Sequence, residues 1–229
     1  MTAGFGLVHR LAFGLEVVDA MRGSLADVVV TSEGPLAARL ARGRRPGRFR
    51  QLVTPGLAAP VIVRVADERR RYVPRRFVIP FDTVKTPRVA LFPGAGFGPQ
   101  GGTTGMRGRV VDPAGAIVPW VRVIARHPAS NRIAGRADGD DRGEFLLLVI
   151  PGPAFVDMPA KFSFQLALTV WALPGPLAGP VAESVPPAGE VTDITTGPDA
   201  PPGFQDRGTT TVHMRLAEIV SPGLPFTIH

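Results

Sequence analysis

No cysteine occurs among the 229 residues. That absence excludes a disulfide scaffold, thiolate metal sites and thiol chemistry. Lysine is almost missing as well: Lys85 and Lys161 are the two in the chain, so the basic side chains are nearly all arginine. No apolar run approaches the ~18 residues of a membrane-spanning helix. The first ten residues, Met1 to Arg10, lack a basic segment followed by a sustained apolar core, so the expectation is cytoplasmic synthesis without a signal peptide and without membrane insertion. Four histidines, His9, His127, His213 and His229, are too far apart in sequence to form a local ligand or acid–base pair. None of the serines sits in a Gly-x-Ser-x-Gly elbow. These absences together lead to the expectation of a protein that is not an enzyme and carries no cofactor and no metal.

What the chain does have is glycine (27) and proline (25), more than a fifth of all residues, within a composition that is 45% hydrophobic and 20% charged. Without a collagen-like period, that combination predicts an ordered protein of short strands joined by many turns. Period-two alternation is plain in Leu11, Phe13, Leu15 and Val17, in Val61, Val63 and Val65, in Val121, Val123 and Ala125, and in Phe162, Phe164, Leu166, Leu168 and Val170. Further strands are expected over 25–31, 48–53, 75–81, 105–111, 144–150 and 209–216, with weaker ones at 181–185 and 190–194. The single helical candidate is 35–42, which reads equally as a loop. The fold class expected is all-β: an N-terminal sandwich-like domain over 1–84, a Gly/Pro-rich linker over 85–102, and a β-sandwich with a Pro-rich loop over 103–229.

The net charge of +7 is unevenly placed. Residues 1–100 hold 16 basic and 7 acidic side chains, whereas 101–229 hold 10 and 12. Two arginine groups account for the excess: Arg39, Arg42, Arg44, Arg45, Arg48 and Arg50, then Arg69, Arg70, Arg71, Arg75 and Arg76. Such forks of donors suit carboxylates or phosphates, and three readings stand: a solvated face, docking on an acidic protein surface, or phosphate contacts to nucleic acid. The aromatic interleaving of a base-stacking surface is thin, with Phe49, Tyr72 and Phe77 on no evident common face, so nucleic acid is the least expected partner. Asp138, Asp140, Asp141 and Glu144 form an acidic cluster that reads as a charged turn; the rest of a calcium loop is missing. Gly94-Ala-Gly-Phe-Gly98 has glycine-loop spacing but follows Pro93 and precedes no helix, so it reads as a linker or tight packing segment rather than a phosphate cradle.

The stretch Gly108-Arg-Val-Val-Asp-Pro-Ala-Gly115, then Val121-Arg-Val123, then Asp138 to Phe145 resembles the carboxypeptidase regulatory-like domain. The matching positions are Gly108, Val110, Asp112, Gly115, Val121, Val123, Gly143 and Phe145; Pro119 and Trp120 depart from the small residues usual at the start of the second strand. The resemblance implies a prealbumin-like (transthyretin-like) β-sandwich acting as an accessory, stabilising or binding module. The hydrolase that shares this fold is not matched: its histidine pair and C-terminal motif are missing. More weakly, Val18-Asp-Ala20, Gly23, Tyr72-Val-Pro-Arg-Arg76 and Leu91-Phe-Pro93 resemble accessory proteins of phage-tail-like contractile injection systems. The resulting expectation is a structural or adaptor protein mediating protein–protein assembly, as a minor baseplate, cap or tube-associated subunit of such a particle. The alternatives are a carbohydrate-binding or adhesin-like sandwich, which would display Tyr72, Trp120 or Trp171 in a shallow groove, and a nucleic-acid binder using the arginine stripe.

Overall fold

A computed structural model of the chain describes residues 10–24, 26–34, 37–83, 86–149, 162–174, 186–190 and 200–228. The described residues are all β, with no helix. The first seven strands are β1 (Leu11–Asp19), β2 (Val29–Ser32), β3 (Ala41–Arg42), β4 (Arg48–Leu52), β5 (Val61–Ala66), β6 (Arg75–Ile79) and β7 (Arg88–Leu91). One sheet has the order β3-β4-β1-β7 and the other contains β6-β5-β2. Alternation turns Phe13, Leu15 and Val17 of β1 toward Val63, Val65, Phe77 and Ile79 of the opposite sheet, which makes the core of the first module.

Residues 37–42, the helical candidate, are extended; Pro35 and Leu36 lie outside the described residues. The Leu40 N–H donates to the Val30 carbonyl, and the Ser32 N–H to that of Ala38. Leu40 is the one buried residue of the segment, and these hydrogen bonds to β2 override the short helical reading. This segment pairs with β2 in one sheet and then, as β3, with β4 in the other, closing one side of the sandwich.

The expected linker is largely structural. β7 runs parallel to β1, with Val17 opposite Val89 and Asp19 opposite Leu91. Val89 and Leu91 enter the first core, while Ala90 and Phe92 pack with Val18 on the other face of the same sheet. A strand buried on both faces shows a continuous apolar run, here Val-Ala-Leu-Phe, and not alternation.

The remaining strands are β8 (Thr104–Val111), β9 (Arg122–Arg126), β10 (Ile133–Asp138), β11 (Glu144–Val149), β12 (Ser163–Ala172), β13 (Ala188–Glu190), β14 (Gln205–Arg215), β15 (Ile219–Val220) and β16 (Phe226–Thr227). One sheet is β10-β9-β12-β14; facing it, β8 pairs β11 on one side and β15 and β16 in succession on the other. Val110, Val121, Val123, Phe145, Leu147, Leu166, Leu168 and Met214 share the second core. β10 has no counterpart among the strands expected from sequence; the residues it turns to the core are the small Ala134 and Ala137. The expected strand at 181–185 lies outside the described residues, as does 191–194. Residues 188–190 form β13, which leaves the second module and adds in parallel to the edge of β6, Gly189 opposite Phe77.

Candidate functional site

The first arginine group is mounted on the β3–β4 hairpin. The Gly43 N–H donates to the Arg48 carbonyl, and the Val17 N–H to that of Gly47, tying the turn to β1. Gly47 takes φ 72°, a conformation that costs a side chain 1–2 kcal/mol, as an approximate figure, and glycine nothing. Arg39, Arg42, Arg44, Arg45, Arg48 and Arg50 are all exposed. Arg42 pairs with Asp27 at 2.9 Å and Arg48 with Glu16 at 2.6 Å. Arg39, Arg44, Arg45 and Arg50 make no ion pair among the described residues. Register sets Arg48, Glu16 and Arg88 in one row across the sheet, with Arg50 in the next row opposite Gly14 and Ala41. One carboxylate thus stands among several guanidiniums on this face.

Three of the five arginines in the second group turn inward. Arg71 binds Asp67 through Nε at 2.8 Å and donates to the Asp27 carbonyl. Burial alone would raise the Asp67 pKa, but the hydrogen bonds from the Arg71 side chain and the Arg69 and Arg71 amides outweigh it and hold the carboxyl below its ordinary value. Arg76 grips Glu33 with Nε at 2.9 Å and also donates to the Pro186 carbonyl. Arg75 is buried and faces Asp138 of the second module at 3.6 Å. Arg70 approaches Asp141 at 3.8 Å, and Arg69 stays exposed. Of the eleven arginines expected to meet a partner, Arg71, Arg75 and Arg76 are therefore engaged inside the protein, because internal carboxylates and carbonyls reach them first.

The junction between the modules is built from residues that the sequence did not nominate as a set. Arg122 Nε donates to Asp138 Oδ1 at 2.6 Å, and the Arg122 guanidinium lies 5.8 Å from the centre of the Phe92 ring. Asp138 thus sits between Arg122 and Arg75, all three buried. Beside them the Tyr72 hydroxyl donates to Asp19 Oδ2 at 2.9 Å, while Asp19 Oδ1 accepts the amides of Met21 and Arg22. The Tyr72 ring meets Phe97 edge-on at 5.9 Å, and Phe97 packs on Leu146 and Leu148 of β11. Burial, then the bond to Asp19, pushes the Tyr72 hydroxyl up to about 12. Arg107 donates to the carbonyls of Ala95 and Phe97, fastening the glycine segment to β8. A Cβ on Gly96 would lie 2.6 Å from the Arg69 carbonyl oxygen, so this segment is a tight packing element. The signal available in sequence was Val-Arg-Val-Ile-Ala at 121–125: one arginine in a run that is buried throughout.

The acidic cluster is divided among separate tasks. Asp138 serves the two arginines. Asp140 Oδ1 accepts the amides of Arg142 and Glu144, and Glu144 pairs with Arg109. Burial raises the Asp140 pKa against the pull of those amides, helped by the neighbouring charges of Asp141 and Glu144. Among the described residues no group of three or more histidine, cysteine or acidic side chains is arranged to hold a metal. Of the family-signature positions, Asp112 Oδ1 accepts the Ala114 and Ala116 amides, and Gly115 and Gly143 take φ 82° and 67°. Gly108 lies against Phe145 and Phe226, where a Cβ would come within 2.5 Å and 2.7 Å of their rings. Val110, Val121, Val123 and Phe145 are core residues. Tyr72, Trp120 and Trp171 are each half-buried, with the Tyr72 hydroxyl already spent on Asp19.

No protein-family model matches the chain, and no curated protein matches it either. Among solved structures, the Bacillus anthracis TIE protein aligns with 96% of this chain and 34% of its own at 9% identity, with a TM-score of 0.30. A leucine-rich repeat protein from Bacteroides thetaiotaomicron aligns over 96% of this chain and 26% of its own at 8% identity, with a TM-score of 0.25. The chain spans about a third or less of the length of these structures, and superpositions this loose leave the site geometry as the basis for function.

Proposed function

We infer that this chain is a non-enzymatic structural or adaptor protein that docks on an acidic protein surface through the β3–β4 hairpin. The observation that carries this reading is the contrast between the two arginine groups: Arg71, Arg75 and Arg76 bind internal partners, while Arg39, Arg44, Arg45 and Arg50 stand exposed without an ion pair among the described residues. Arginines held on a hairpin rather than a loose tail lose little further backbone entropy when they grip a carboxylate, which suits a stable docking face. Joined to the resemblance to contractile-injection accessory proteins, the reading makes the chain a minor baseplate, cap or tube-associated subunit of a phage-tail-like particle.

The test is affinity purification from the native host with and without nuclease, comparing the natural protein with a variant in which Arg44, Arg45 and Arg50 are glutamate. Nuclease-resistant recovery of particle subunits that is lost in the variant is the expected result. Recovery of nucleic acid alone would replace the assembly reading with phosphate binding, since the same arginines serve both chemistries.

A further inference from the structure

A cavity of about 50 Å³ lies at the junction of the modules, lined by Arg75 from β6, by Trp120, Arg122 and Asp138, and by Pro186 and Phe204. That is room for more than one water molecule. Arg122 is 2% exposed, and the one hydrogen bond it donates runs from Nε to Asp138. A guanidinium has five N–H donors in a planar fork, so its terminal nitrogens meet no acceptor among the described residues. Trp120 Nε1 is also buried without an acceptor. Trp120 is held in the left-handed region at φ 57°, with its N–H on the Asp140 carbonyl. A buried indole donor without an acceptor is uncommon, because it costs about 1–3 kcal/mol when nothing accepts its proton, and the Arg122 fork on the same wall has donors to spare.

We propose that this cavity binds a monoanionic carboxylate, received by the terminal nitrogens of Arg122 and the indole N–H of Trp120. Three observations select that chemistry. The fork of Arg122 matches two coplanar oxygens and not a single lone pair. The cavity, partly open to solvent, admits a group the size of a carboxylate. Asp138 contributes a negative charge to the same wall, which a phosphate dianion would meet at close range and a monoanion tolerates better. The same carboxylate chemistry is available from a free small acid or from an acidic side chain of a docked peptide. The site uses none of the hairpin arginines and stands independently of their role.

The experiment uses the full chain carrying Trp171→Phe, which leaves Trp120 as the one tryptophan. Sodium acetate is titrated against sodium chloride at equal ionic strength while the indole N–H resonance of Trp120 is followed. A saturable shift is expected, with half-saturation on the order of 1 mM, weakened at least tenfold by Arg122→Lys and unchanged by Arg45→Lys. A blocked hexaglutamate peptide forms the second arm. Acetate binding that this peptide displaces assigns the site to a side chain, and acetate binding that it leaves intact assigns it to a small acid. If the Lys variant fails to fold, the parent titration still decides. No saturable shift up to about 100 mM acetate means that the cavity holds ordered water only and overturns the proposal, as does a stronger response to inorganic phosphate than to acetate.

Discussion

Tyr72 is the only tyrosine in the chain, so its ionisation can be read directly from phenolate absorbance. With the hydroxyl pushed up to about 12 from an ordinary 10.0, the folded protein holds this proton more tightly than the unfolded chain. The resulting stability is fully present below pH 10 and is lost as the pH rises from there through the folded value near 12. Alkaline titration of the folded protein should give a midpoint near the upper figure, and the unfolded protein in denaturant one near the lower. Tyr72→Phe should cost about 1–2 kcal/mol in denaturant unfolding at neutral pH, because the buried Asp19 loses a donor while keeping its two amides. Asp140 behaves in the opposite sense. Its raised pKa means that ionisation opposes folding at neutral pH, whereas its acceptor oxygen organises the turn. Asp140→Asn keeps the acceptor and removes the charge, so its stability at pH 7 should match or exceed that of the natural protein. That advantage should shrink as the pH falls, because the natural side chain in the folded protein takes up its proton already above the ordinary 3.8. Asp140→Ala, which removes the acceptor, should cost about 1–2 kcal/mol.

At the scale of elements, the segment after β7 decides how the modules meet. Gly96 has backbone carbonyls of Arg69 and Arg70 at 2.6 Å and 2.9 Å from where a Cβ would lie, while Gly101 has nothing within 4 Å. Backbone atoms cannot rotate away as a side chain can. Gly96→Ala should therefore lower stability by about 2–4 kcal/mol and open the junction to proteolysis, with Gly101→Ala close to neutral. Urea unfolding and limited digestion of the two variants compare them directly; equal behaviour would mean that the glycine segment does not fix the modules. The core face of β1 was legible in the alternation of Phe13, Leu15 and Val17, whereas Leu11, expected on the same face, is 56% exposed because the register shifts between Leu11 and Phe13. β3, β13, β15 and β16 were not legible, because strands of two or three residues carry no period, and each exists through its partner: β13 by pairing with β6, β15 and β16 by pairing with β8.

For the whole molecule, the arginines divide into those that stabilise the protein and those available to others. Replacing Arg44, Arg45 and Arg50 by glutamate should leave the thermal midpoint nearly unchanged, since exposed side chains without partners contribute within about 0.5 kcal/mol each. Asp138→Ala should cost about 3–5 kcal/mol by leaving Arg122 buried without its carboxylate. Thermal unfolding of both variants checks the contrast, and an equal loss in the two would show that the hairpin arginines are also structural. By itself the sequence determined the all-β class, the main strands of both modules, the turns at Asp112 and Gly143 and the excess of arginine, since these follow from local periodicity, backbone conformational freedom and formal charge. Which arginines are spent was decided only in three dimensions. Arg75 and Arg76 are neighbours in the chain, yet one meets Asp138 across the module junction and the other Glu33 beside β2. Successive residues of a strand point to opposite faces, so the partners of each are set by what the tertiary fold brings to that face.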